Sequence, residues 1–187
     1  MLEIIIPKPK FIVLSTVHAR LVDVVTGKVR RFDTHNIVTD AGVQFYRKRA
    51  YAAAPGDDYF CDSGGEVFDG QIEIWKNVST SPVANSDRST LTTAGGTAVG
   101  IKAMDSLYPQ LDDPDPNNPG RGALILTYKS TFGLGDANDS GLDDVVITNP
   151  SPTSNDRILC WLSGLGNITK GGTNTLEIYV NHAFAGA

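Results

Sequence analysis

Cysteine, histidine and tryptophan are scarce in this 187-residue chain, with two Cys, three His and two Trp. Cys61 and Cys160 stand far apart and neither sits in a CxxC pair, so neither zinc ligation nor redox chemistry is indicated. One long-range disulfide and two separate thiols are the alternatives. The apolar run Ile158 to Leu162 around Cys160 favours a small buried side chain. His18, His35 and His182 form no HExxH or other close ligand pair, and there is no GxSxG elbow, no GxxxxGK[ST] loop and no GxGxxG leading from a strand into a helix. The sequence therefore assigns no catalytic residue, no cofactor and no metal site, and the expectation is a non-enzyme. Long apolar runs are also missing. None approaches the ~18 residues of a membrane span, and Met1 to Pro7 lacks the basic start of a secretory signal, so a soluble chain without a membrane partner is expected. Sixteen basic against twenty-one acidic side chains give a net charge of -5. The one basic run is Arg47-Lys48-Arg49, too little for a nucleic-acid groove.

Alternation is what the chain does have. Leu124, Leu126, Tyr128 and Phe132 fall on one face of a period-2 stretch and Thr127, Lys129 and Thr131 on the other, which predicts the central strand of a sheet. Gly133 to Asp144 is rich in glycine, acid and amide and reads as a polar loop before a strand starting at Val145. Phe11 to Val25 is the longest strand, with Val13, Val17, Ala19 and Leu21 sharing a face. It turns at Thr26-Gly27-Lys28 into Val29 to Asp33, where a slip in the alternation predicts a bulge. Thr39 or Asp40 caps a helix carrying Val43, Tyr46 and Ala50 on one stripe, ended by Pro55-Gly56. Ile72 and Ile74 point inward from a short strand. Residues 77 to 100 read as a small-residue loop too sparse in large apolar side chains to build core, and 101 to 108 as ambiguous. Pro109 to Gly122 reads as an exposed loop, Arg157 to Leu162 as a strand buried on both faces, and Thr175 to Phe184 as a closing strand. Seven or eight strands and one short helix predict an all-β domain over residues 11–187, a β-sandwich or jelly roll, with a barrel as the alternative. Residues 1–10, with Pro7 and Pro9 behind three isoleucines, read as an extended arm.

Two chemical readings remain. Asp136, Asn138, Asp139, Asp143 and Asp144 are hard oxygen donors that could serve calcium, although the spacing departs from the EF-hand pattern and lacks its distal glutamate; a solvated turn is the competing reading. Trp75 and Trp161 both lie in apolar strand contexts and are expected in the core. Exposed aromatic residues on a flat face would instead mark a carbohydrate-binding β-sandwich, an alternative of another class.

Thr26 to Val43, reading TGKVRRFDTHNIVTDAGV, resembles the basic strand, Asn-x-Val/Ile-Thr-x-Ala-Gly and helix found in small structural proteins of tailed bacteriophages. Ser130 to Asn138 and Thr175 to Phe184 are similar to the strand-and-loop sequences of that group, so the resemblance covers about a third of the chain. It implies a virion component made in the bacterial host cytoplasm: a capsid decoration protein on the head lattice, or a tail or head-to-tail connector protein. Its partners would be copies of itself, a trimer being one such assembly, and the major capsid protein or other virion proteins. The resemblance carries over no catalytic residues. Ile4, Ile5, Ile6 and Phe11, apolar and at the arm, are the expected interface, by apolar burial or strand addition.

Overall fold

The computed structural model describes residues 11–35, 37–51, 68–111, 125–149 and 157–186. Ile4, Ile5 and Ile6, the remainder of the arm, Cys61, the helix stop at Pro55-Gly56 and most of the Pro109 to Gly122 loop lie outside them. Of Phe11 only the backbone is described, opposite Gly186.

In chain order the elements are β1 (Phe11–Asp23), β2 (Val29–His35), β3 (Ile37–Val38), α1 (Asp40–Tyr51), β4 (Gln71–Lys76), α2 (Arg88–Thr93), β5 (Thr97–Ala103), β6 (Gln110–Leu111), β7 (Ile125–Phe132), β8 (Asp139–Thr148), β9 (Ile158–Leu162), β10 (Ile168–Lys170) and β11 (Asn174–Gly186). They form two antiparallel sheets, β2-β1-β11-β7-β6 and β3-β9-β8-β4-β5, with β10 paired to β8. The expected all-β, sandwich-like fold is what the chain adopts. β1 and β11 pair along their full length, from Phe11 opposite Gly186 to Asp23 opposite Asn174, and make β11 the middle of the first sheet. β7, expected at the centre, is the penultimate strand.

The core lies between the sheets because alternation delivers one face of each to it. Val17, Ala19 and Leu21 of β1, Tyr128 and Phe132 of β7, and Leu176, Ile178 and Val180 of β11 meet Ile72 and Ile74 of β4, Val145 and Ile147 of β8, and Cys160 and Leu162 of β9. Cys160 is buried, as its setting predicted. α1 lies against β9. Thr39 caps it, its hydroxyl accepting from Gly42 N at 3.1 Å while donating to the Ile158 carbonyl. Gly42 is needed for that approach, since a Cβ there would collide with the Leu159 carbonyl oxygen. The buried stripe of α1 includes Phe45 and Tyr46.

Four expectations are corrected. The β1–β2 register runs unbroken from Val22 opposite Val29 to Thr16 opposite His35, so no bulge separates Val29 from Phe32. β2 is an edge strand, and Arg30 can face the core side because its guanidinium lies 5.2 Å from the Phe32 ring at the rim. β8 starts at Asp139, leaving only 133–138 as the turn: ladder pairing with β4 and β10 outweighs the loop-like composition, with Gly141 at a φ of 71°. Residues 77 to 100 contain α2 and most of β5 and do contribute core, since Leu91 is fully buried. The ambiguous stretch after 100 completes β5. Finally, the described residues hold eleven strand segments and a second short helix.

Candidate interaction surfaces

The outer face of the first sheet is built by the residues that alternation turns away from the core. Register places Asp33, His18, Tyr179 and Lys129 in one row across β2, β1, β11 and β7, and Arg31, Arg20, Glu177 and Thr131 in the next. The rows bond internally. His18 Nδ1 meets Asp33 at 2.6 Å, and Arg20 donates to Glu177 at 2.6 Å. Thr127 donates to Asn181 at 2.7 Å, and Thr131 donates to Asp105 from its amide and its hydroxyl. Lys129 Nζ stands 5.3 Å from the Tyr179 ring and 5.6 Å from that of Tyr108. Burial opposes the Lys129 charge, but Tyr179, Glu177 and Asp105 outweigh it and hold the ammonium above its ordinary pKa. Burial, then Glu177, pushes the Tyr179 phenol up. Arg20 with Glu177 and Lys129 with Asp105 pair charges on this face.

The outer face of the second sheet is covered instead. Trp75, Val146, Ile158 and Trp161 pack with Leu91 of α2, which lies across them as a strap. Both tryptophans are buried, as expected, and each indole N–H finds a carboxylate: Trp75 donates to Glu73 and Trp161 to Asp144, both at 2.8 Å. Glu73 is fully buried, and Arg88 of α2 donates to both of its oxygens at 3.1 Å while lying 5.2 Å from the Trp75 ring. Burial is the main cause that lifts the Asp144 carboxyl to about 6; the neighbouring Asp143 charge adds to it, against hydrogen bonds from Trp161 and Ser163. Beside the strap, Ser79, Thr80, Ser89, Thr90, Thr93 and Ala94 line a shallow groove of about 430 Å³ with no charged or aromatic wall. Trp75, Trp161, Tyr46, Tyr108, Tyr128 and Tyr179 are buried or half-buried, so none of them offers the flat exposed aromatic platform of a carbohydrate-binding face.

The calcium candidates do not converge. Asp136 accepts from Lys102 and from Gly133 N, Asp139 from Lys76, and Asp143 from Gly166 N and Asn167 N, while Asp144 faces Trp161 on the covered side. Hydrogen bonds from Lys102 and Gly133 hold the Asp136 carboxyl below its usual range, and Lys76 and Ser140 do the same for Asp139. Pairing with Trp75 opposite Asp144 and Lys76 opposite Leu142 leaves Asp143 as the extra residue of a bulge, bonded to the Gly166 and Asn167 amides while Asp144 turns to Trp161. Among the described residues, no three His, Cys, Asp or Glu side chains are placed to hold a metal ion.

The side of the sandwich where β5 ends one sheet and β6 ends the other is different in character. Ile101, Leu107, Leu111 and Leu134 expose 46%, 80%, 68% and 44% of their surfaces. Leu107 does so at a φ of 76°, a left-handed backbone that a large side chain seldom adopts. Among the described residues β5 pairs only with β4 and ends its sheet.

Inside the core at α1, Tyr46, Tyr128 and His182 form a buried polar cluster, the two phenols 2.8 Å apart and Tyr46 bonded to His182 Nδ1. Burial depresses His182 to about 3, so its ring is neutral at physiological pH. The readings of His18 and His182 as packed strand residues hold. Sequence reasoning missed the Glu73–Arg88 pair and the Asp144–Trp161 bond. The only local signal was a carboxylate beside an aromatic residue on an otherwise apolar strand. Comparisons with protein-family models, curated proteins and solved structures find no match for this chain.

Proposed function

We propose that this chain is a non-enzymatic structural component of a tailed-phage virion, a capsid decoration protein that docks as a homo-oligomer on the assembled head lattice and reinforces it. The observation that carries the reading is the exposure of Ile101 on β5, which ends its sheet, and of Leu107 and Leu111 at β6, which ends the other. Exposed apolar side chains on and beside edge strands suit burial against another protein surface. The sequence resemblance supports the same class, and its stretches fall on β2 through the start of α1, on the β7 end and on β11. The engagement of the central carboxylates and amines in ion pairs and hydrogen bonds is consistent with a scaffold role. Ile4, Ile5 and Ile6 of the arm, with Phe11 where it joins β1, would add a second docking element against a neighbour.

Copy number tests this. Quantitative mass spectrometry of purified particles should find the chain at a ratio comparable to the major shell protein. A trace amount, enough only for a ring, would move the assignment to a tail or connector protein, and absence from particles would end both. Deletion of residues 1–10 should abolish particle binding while the domain stays folded by circular dichroism; undiminished binding would remove the arm from the mechanism.

A further inference from the structure

Lys170 at the end of β10 is a cation taken out of solvent, with only 2% of its surface exposed. Its amine donates to the Gly133 carbonyl at 2.7 Å and to Asn138 Oδ1 at 2.8 Å, both in the turn joining β7 to β8. A buried ammonium ordinarily takes a carboxylate, and this one faces a side-chain amide instead. We propose that Lys170 and Asn138 join in an intramolecular amide cross-link, with Nζ bonded to the Asn138 Cγ.

The geometry supplies what the reaction needs. Cγ lies one bond beyond the Oδ1 that the amine already contacts, within about 4 Å of Nζ by bond lengths alone, so a small rotation of the amide reaches a near-attack separation. The Asn138 Nδ2 donates to the Leu134 carbonyl at 2.7 Å, which holds the amide beside Lys170, and the residue is exposed, which leaves its amino group a path to water. Asp136 is two residues away, with Oδ2 held by Lys102 at 2.6 Å and Gly133 N at 2.9 Å, and its charge acts on Lys170. Burial and the Lys102 charge, against that of Asp136, lower the Lys170 pKa and make the neutral amine more accessible.

In the step, the neutral Lys170 amine adds to Cγ. The Nζ–Cγ bond forms, the Cγ–Nδ2 bond breaks, and a proton lost from Nζ is delivered to Nδ2, which departs as ammonia. No oxidant, reductant or cofactor enters. The product ties β10 to the β7–β8 turn, closing a covalent ring between positions 138 and 170. This inference is independent of the virion reading, because it needs only the folded chain.

Intact mass spectrometry of the purified full chain tests it. The expected mass is that of the sequence less one ammonia, with a branched tryptic peptide joining the segments that contain Lys170 and Asn138. Lys170→Arg, which keeps donors for the Gly133 and Asn138 carbonyls, should show the full mass of its own sequence. Asn138→Asp should lose water in place of ammonia and reach the same linked peptide. Full sequence mass in aged wild-type protein overturns the proposal. So does an ammonia loss without the branched peptide, or one that persists in Lys170→Arg.

Discussion

Buried ionisable side chains carry most of the residue-scale consequences. Glu73 accepts from Arg88, Trp75 and Thr148 with no solvent exposure, so Glu73→Ala would strand a guanidinium and an indole N–H beneath the strap. Breaking a buried pair from one side costs about 3 kcal/mol or more, and urea unfolding should show the loss as a lowered midpoint. Asp144 and His182 pull stability in opposite directions with pH. The Asp144 carboxyl is raised from 3.8 to about 6 on folding, so the native state holds the proton more tightly, and its contribution to stability falls as pH rises between these values. His182 is lowered from 6.5 to about 3, so its contribution is intact above 6.5 and is lost as pH falls toward 3. Asp144→Asn should therefore gain on the wild type at pH 7 relative to pH 4, and His182→Gln should flatten the acid limb. Urea midpoints across pH 3 to 8 check both, and parallel profiles for variants and wild type would refute these assignments.

At the scale of elements, α2 shows how a six-residue helix can matter to a sheet. Asp87 forms a capping box with Thr90, which defines the helix start, and Leu91 then projects into the Trp75, Val146, Ile158 and Trp161 cluster. Truncating a fully buried leucine costs about 2–5 kcal/mol, and here the loss falls on the contact that holds the strap. Leu91→Ala should lower the unfolding midpoint and shift tryptophan fluorescence to the red, because both indoles lie under α2 or beside it. An unchanged spectrum would mean that the strap stays seated without its anchor. The helix was hard to read in the sequence because residues 77 to 100 are mostly small and polar. Its N-cap was a local signal, but one leucine does not make a periodic stripe. β9 was the opposite case, since a run apolar on both faces fits a strand with a sheet partner on each side and packing on both surfaces.

Among the described residues, charges pair on the outer face of the first sheet, and Ile101, Leu107 and Leu111 stay exposed where β5 and β6 end the sheets. Exposed substitutions away from special backbone positions usually change stability by less than about 0.5 kcal/mol, so Ile101→Lys and Leu111→Lys should leave the unfolding midpoint nearly unchanged. The same changes should weaken self-association and particle binding, as read by sedimentation velocity and co-sedimentation with particles. Retention of both would move docking to another surface.

The sequence by itself determined the all-β character, the inward residues of the main strands, the buried tryptophans and Cys160, and the cap of α1, because period-2 alternation and capping are local patterns. Only the tertiary structure decided the rest. Strand order, the start of β8 at Asp139 and the meeting of Lys170 with Asn138 depend on ladder pairing between residues far apart in the chain. The burial of Glu73 and Asp144 depends on a cover: outward-facing carboxylates on a strand are read as solvated until a distant segment closes over them. α2 is that segment at Glu73, through Arg88 and Leu91, while Asp144 is held beneath the outer layer by Trp161.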